Sequence, residues 1–209
     1  QEFPEVEFCH ATGTLAHTAG VANYHNAFAH IYQGRYLAGV AAGMKLVEMY
    51  EAGELEANNF DADGNIKIGY VGAYPYAEVV SGYTSFFLGA RSIVEEETDI
   101  SVSMEVTYTS SWYDLQAEND AARLLISRGA ALISQHADSM GAPNACEDAG
   151  VPNVSYNGST AASCPDTYIV SSRINWVPYF EYMIDCVANG DAIDTDSVSY
   201  THLTLPTIA

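Results

Sequence analysis

Basic residues are scarce in this chain. Seven Lys and Arg stand against 27 Asp and Glu in 209 residues, giving a formal charge of −20. A field of that sign repels phosphate backbones, which argues against a nucleic-acid partner. Long apolar runs are also missing: no stretch approaches the roughly 20 residues that cross a bilayer as a helix. The four cysteines, Cys9, Cys146, Cys164 and Cys186, have no metal-type spacing. Buried thiols are their simplest reading, and a Cys146–Cys164 bridge flanking one strand is the alternative, which would require an exported protein. His10, His17, His25 and His30 form no HExxH pattern, and Gly69-x-x-Gly72 lacks the third glycine and the lysine of a phosphate loop. Ser81, Ser111 and Ser139 never stand in a GxSxG elbow. No metal, no cofactor and no nucleophile is indicated.

What is present is a repeated unit. With 48% apolar residues the composition is that of a folded domain. Ile68–Gly72, Val102–Tyr108, Ala130–Ser134 and Val151–Tyr156 each read as an apolar strand, and Tyr168–Ser172 as a fifth. Helices are expected between them at about Tyr76–Ser92, Asp114–Arg128 and Met140–Ala149, with Asp114 as an N-cap. A last helix spans Val177–Asn189, with Pro178 in its first turn and Gly190 just past its end. This alternation predicts an α/β fold with a mostly parallel sheet. Upstream, Val6–His10 reads as a short strand and Asn23–Tyr50 as one long helix, whose Gly39 and Gly43 would permit close approach of another element. Glu51–Asn65 is acidic, rich in Asn, Gly and Asp, and without apolar period, which makes it the expected domain boundary.

The turns after the strands are where a ligand would bind, because in open α/β sheets the carboxyl ends gather along one edge. Those turns carry Ala73-Tyr74-Pro75, Ser110–Asp114, Gln135–Ser139 and Asn157–Thr160. Tyr74, Trp112, His136, Asp138 and Asn157 are the candidate ligand residues, with Trp176 at the end of the fifth strand. Aromatic rings stack on planar ligands, and a nearby acidic group holds hydroxyls or ring N–H groups. Asn59–Ile66 has the opening spacing of a calcium loop, but its twelfth position is Tyr70 where a bidentate Glu is needed. A polar turn is the better reading.

Several ordered motifs resemble one family. Gly34-Arg35-Tyr36-Leu37-Ala38-Gly39, Ile68–Pro75, Phe87–Ser92, Ser111–Asp114, Gln135–Ser139 and Tyr156-Asn157 are similar to the basic membrane protein (BMP) family, across roughly residues 4–190. Its members are substrate-binding lipoproteins of ABC importers and include purine-nucleoside receptors. The resemblance implies a periplasmic-binding-protein-like α/β fold of two lobes, each a mostly parallel sheet flanked by helices. Residues 1–65 would be an incomplete first lobe, 66–172 the second lobe, and 173–190 a crossover and helix returning to the first. Residues 191–209 would be a tail, with 198–209 a non-native read-through because the composition changes there. The implied function is binding a nucleoside-like or purine-like solute outside the cytoplasm and presenting it to permease subunits. Membrane contact would run only through a lipid anchor on sequence upstream of Gln1. The family's nucleoside receptors have an acidic residue gripping ribose where this chain has Asn157, which turns the expectation toward a free base or another heterocycle. Two rivals remain: an enzyme using His136 and Asp138 as an acid–base pair, and a ligand-sensing module of a regulator.

Overall fold

The structure is a computed structural model, which describes residues 2–13 and 15–197 and the backbone of His202–Thr204. The expected non-native tail, 198–209, lies outside the described residues except for His202–Thr204, a three-residue strand β9. The chain divides into two compact units, Gln1–His30 with Ile174–Thr204, and Ile31–Arg173.

The smaller unit is a parallel sheet in the order β1-β2-β8, from Phe8–Ala11, Tyr24–Ala27 and Asp196–Ser197. It carries the short α1 (Ala16–Ala19) and α6 (Val177–Asn189). The α6 ends as its sequence dictates: Pro178 occupies the first turn and Gly190 takes φ 72°, a left-handed cap that side chains resist.

The larger unit holds α2 (Ile31–Glu51), β3 (Ile66–Gly72), α3 (Ala77–Glu97), β4 (Val102–Tyr108), α4 (Leu115–Ser127), β5 (Ile133–His136), α5 (Gly141–Ala149), β6 (Asn153–Tyr156) and β7 (Tyr168–Asn175). Its strands run in the order β4-β3-β5-β6-β7, and each of the four ladders between them is parallel. Parallel strands need crossovers; α3, α4 and α5 supply those from β3 to β6, and a helix-free loop joins β6 to β7. Ile66, Ile68 and Tyr70 of β3 face one side, with Ala38, Ala42 and Leu46 of α2 and Phe86, Ala90 and Val94 of α3. Val71 faces the other, with Ala122 and Leu125 of α4 and Ala142, Ala145 and Cys146 of α5. A strand buried on both faces has no polar side, which is why Ile68–Gly72 of β3 reads as an apolar run, with only Lys67 near its start reaching out to the Arg128 carbonyl. The α/β fold with parallel sheets flanked by helices is therefore as expected.

Two expectations on the amino-terminal part need correction. Asn23–Tyr50 is not one helix: Tyr24–Ala27 pairs with β1 from Phe8↔Tyr24 to Ala11↔Ala27, and the helix begins at Ile31. A four-residue strand takes its identity from its partner, and this partner lies 16 residues away. Secondly, the division of the chain falls at His30–Ile31 rather than at Glu51–Asn65. The reason is the glycine spacing. Any Cβ at Gly39 would collide with the Phe86 carbonyl, one at Gly89 with the Tyr36 carbonyl, and one at Gly43 would stand 2.6 Å from the Ala90 carbonyl. Helices α2 and α3 thus pack backbone to backbone, and α2 belongs to the larger unit. Glu51–Asn65 is a connector inside that unit, tied down where Asn59 donates to the Gly129 carbonyl at 3.0 Å. Within it the calcium-loop look-alike is a turn: the Asp61 carboxylate accepts from the backbone N–H of Asp63 and Asn65. All four cysteines are free; Cys146, Cys164 and Cys186 are buried and Cys9 is half-buried, so the Cys146–Cys164 bridge is not formed.

Candidate functional site

The carboxyl ends of β3, β4 and β5 are built into one edge by backbone bonds. Thr109 N–H donates to the Gly72 carbonyl and Ser110 N–H to the Ala73 carbonyl, both at 2.9 Å, joining the turns after β3 and β4. Asp138 N–H donates to the Trp112 carbonyl at 2.8 Å, joining those after β4 and β5. Asp114 caps α4 as expected, its carboxylate accepting from Gln116 and Ala117 N–H. One turn on, the fully buried Glu118 reaches back to accept from Asp114 N–H and from Ser139 N–H. Burial raises its pKa, and these N–H donors work against that rise. Ser110 and Asn157 both take φ near 60°, a conformation that non-glycine residues adopt at some energetic cost.

On this frame three rings meet. Tyr74 stacks on Tyr76 at 5.3 Å and 16°, Trp112 lies 5.4 Å from Tyr74, and Trp112 lies 6.0 Å from Tyr76. The cluster is open: Trp112 is 38% and Tyr76 58% exposed. It is not the burial beneath helices that would have made Trp112 a mere core residue. Beside it are two acids. Burial raises the Asp138 pKa, and Glu78, in the first turn of α3, is raised by burial and then by the Asp138 charge. Asn157 is exposed after β6. Rings that stack and acids that accept N–H or O–H groups give this edge the means to hold a flat, polar molecule.

Not every expected residue stands on it. His136 is the last residue of β5, and its side chain faces the interior, 1% exposed. Its ring lies 4.0 Å from that of Tyr156 and against Gly82 of α3. Neither ring nitrogen has a partner among the described residues, and desolvation followed by the Arg35 charge depresses its pKa to about 3. A buried, neutral imidazole without a partner has none of the geometry of the general base in an acid–base pair with Asp138. Trp176 belongs to the smaller unit, half-buried at the start of α6 and edge-on to Tyr179 at 6.4 Å. Tyr76 and Glu78 stand at this edge beside the expected residues. Tyr76 and Glu78 were legible as the start of a helix following a strand, where ligand-facing groups gather. Among the described residues no group of three or more His, Cys, Asp or Glu is placed to hold a metal ion.

The model of a family described as ABC transporter substrate-binding protein PnrA-like matches residues 1–203. The chain belongs to this Bmp family. It is 34% identical over 190 residues to the purine-binding protein BAB2_0673 of Brucella abortus, covering 91% of this chain and 47% of that protein. It is 31% identical over 190 residues to the putative ABC transporter glucose-binding protein TsgA13 of Haloferax volcanii, covering 91% and 42%. The chain thus spans about half the length of these relatives. Among solved structures, an ABC transporter solute-binding protein from Aeropyrum pernix superposes with a TM-score of 0.76 over 97% of this chain and 55% of that one, at 17% identity. At that identity the likeness is one of fold. Among the described residues no helix is long and apolar enough to cross a membrane.

Proposed function

We propose that the protein to which this chain belongs is the extracytoplasmic solute-binding component of an ABC importer, taking a purine base or nucleoside at the carboxyl edge of the larger unit. The observation that carries this is the open Tyr74–Tyr76–Trp112 ring cluster, with Asp138 bonded through its N–H to the Trp112 carbonyl and Glu78 feeling the Asp138 charge. Family membership supports it, and so does the relative named as purine-binding. In this reading the ligand is held and handed unchanged to permease subunits. Membrane contact is made through the permease and a lipid anchor. Negative charge at the edge disfavours phosphorylated ligands. A sugar is the second reading, because the relative TsgA13 is named for glucose and rings also pack on sugar faces.

The test is calorimetry on the complete reading frame with adenine, adenosine, guanosine, adenosine monophosphate and glucose. A purine base or nucleoside should bind and be recovered unchanged. Removing Trp112 (Trp112→Ala) should weaken it about 5-fold, the loss of roughly 1 kcal/mol of stacking. Heat with glucose alone would replace the purine reading by the sugar one, and conversion of the ligand would sink both.

A further inference from the structure

Arg35 is an anomaly in the interior of the larger unit. Its side chain is fully buried, and no carboxylate pairs with it among the described residues. An isolated buried charge is costly, so its surroundings must compensate. They do so with neutral groups. Nη1 donates to the Ser155 carbonyl at 3.2 Å and to Ser172 Oγ at 3.5 Å, and Nη2 donates to Ser134 Oγ at 2.5 Å. Ser134 Oγ passes its own proton on to the Val154 carbonyl at 2.7 Å. Three rings surround the guanidinium, those of Phe86 at 5.1 Å, Tyr70 at 5.5 Å and Tyr156 at 5.9 Å. One side chain of α2 thereby grips β5, β6 and β7 near their carboxyl ends.

Those contacts lead to the candidate edge. Tyr156, held between Arg35 and His136, directly precedes Asn157. Asn157 N–H donates to the carbonyl of Ser172, whose hydroxyl accepts from Arg35. Asn157 sits at φ 60°, a conformation that persists only where its neighbours hold it. We propose that Arg35 is the positioning residue of this edge: its planar guanidinium fixes Tyr156 and the backbone on both sides of Asn157 from beneath. This rests on the reading of the edge as a ligand site, but its first measurements need no ligand. A lysine would carry the charge without the fork that reaches three strands.

The charge has a second consequence, on His136. The titratable and charged groups around it are Arg35 from α2, Tyr70 on β3 and Tyr156 on β6, with Glu78 of α3 and Asp138 acting in turn on Tyr156. Beyond desolvation, the Arg35 charge lowers the imidazole pKa, because it disfavours a second positive charge nearby.

Nuclear magnetic resonance on the full chain separates these roles, using Arg35→Lys and Arg35→Met. In both variants the Asn157 amide and Tyr156 ring signals should shift or broaden, while the Asp114 cap signals stay in place. The His136 midpoint, held low chiefly by burial, should rise in Arg35→Met, where the charge is gone, and stay low in Arg35→Lys. If either variant does not fold, Ser172→Ala, which removes one acceptor and leaves charge and rings intact, should still move the Asn157 amide. Unmoved Asn157 signals in every folded variant would overturn the positioning role, whatever happens to the melting temperature. In the complete protein Arg35→Lys should weaken adenine or adenosine binding at least 10-fold with its fold intact, and unchanged affinity would likewise overturn the role. Absence of binding by the unaltered protein would instead count against the ligand reading alone.

Discussion

His136 should make the fold sensitive to mild acid. Its folded pKa, about 3, lies below its ordinary 6.5, so the unfolded chain binds the proton more readily. The neutral ring therefore contributes stability that is fully present above pH 6.5 and is lost as pH falls toward 3. By pH 4 the loss relative to neutral pH should be about 3 kcal/mol. Glu78, Glu118 and Asp138 act in the opposite sense, because their raised pKa values favour protonation in the folded state. Comparing the chain with His136→Leu by urea unfolding at pH 7 and pH 4 isolates the imidazole. The gap between the two proteins should change by about 3 kcal/mol across that range, and a constant gap would show that the ring is not held neutral. At this scale the sequence was partly legible. Tyr74, Trp112, Asp138 and Asn157 follow strands by one or more residues and reach the edge. His136 ends its strand, where alternation of side chains between faces decides its direction, and that alternation is invisible when both faces are apolar. Arg35 stands within the Gly34–Gly39 motif, but nothing in a helix sequence tells a buried cation from a surface one.

Between elements, the tightest contact is that of α2 with α3, where Gly39 and Gly89 each face a carbonyl of the other helix. A methyl group there has no side chain to displace and must move backbone. Gly39→Ala and Gly89→Ala should each destabilise the larger unit by about 1–3 kcal/mol, although alanine is the better helix former. Gly53 takes φ 68° but has open space around it, so Gly53→Ala serves as a control that tests conformation without a clash. Thermal unfolding that ranks both helix variants no lower than this control would refute the close approach. Elements were most legible where the local pattern and the tertiary demand coincide. The β4 and α6 spans match their sequence reading residue for residue, since β-branched runs, Pro178 and Gly190 carry the signal locally. Tyr24–Ala27 carries no such signal. Its aromatic and small residues fit a helix as well as a strand, and only β1, a long-range partner, makes it a strand.

At the scale of the molecule, the decisive question is which segment is a folding unit. From the alternation of strands and helices alone, residues 66–172 qualify, being contiguous and complete as a sheet. The packing says otherwise. Ala38, Ala42 and Leu46 of α2 are fully buried in the same cluster as Tyr70, Phe86 and Ala90, and Arg35 satisfies groups on three strands from the same helix. A segment beginning at residue 66 leaves that face uncovered. Losing the burial of Leu46 alone costs about 1.5–3 kcal/mol, and the exposed rings and unsatisfied hydroxyls add to it. Such a sum is comparable to the whole stability of a small domain, about 5–15 kcal/mol. The segment 31–173, which starts with α2 and ends where β7 leaves the larger unit, should therefore unfold in one cooperative urea transition. The segment 66–172 should show a broad transition or none, with tyrosine rings exposed to solvent. Equal midpoints for the two segments would mean that α2 merely lies against a sheet that is stable without it, and the backbone-to-backbone contact of its glycines would then have no energetic weight.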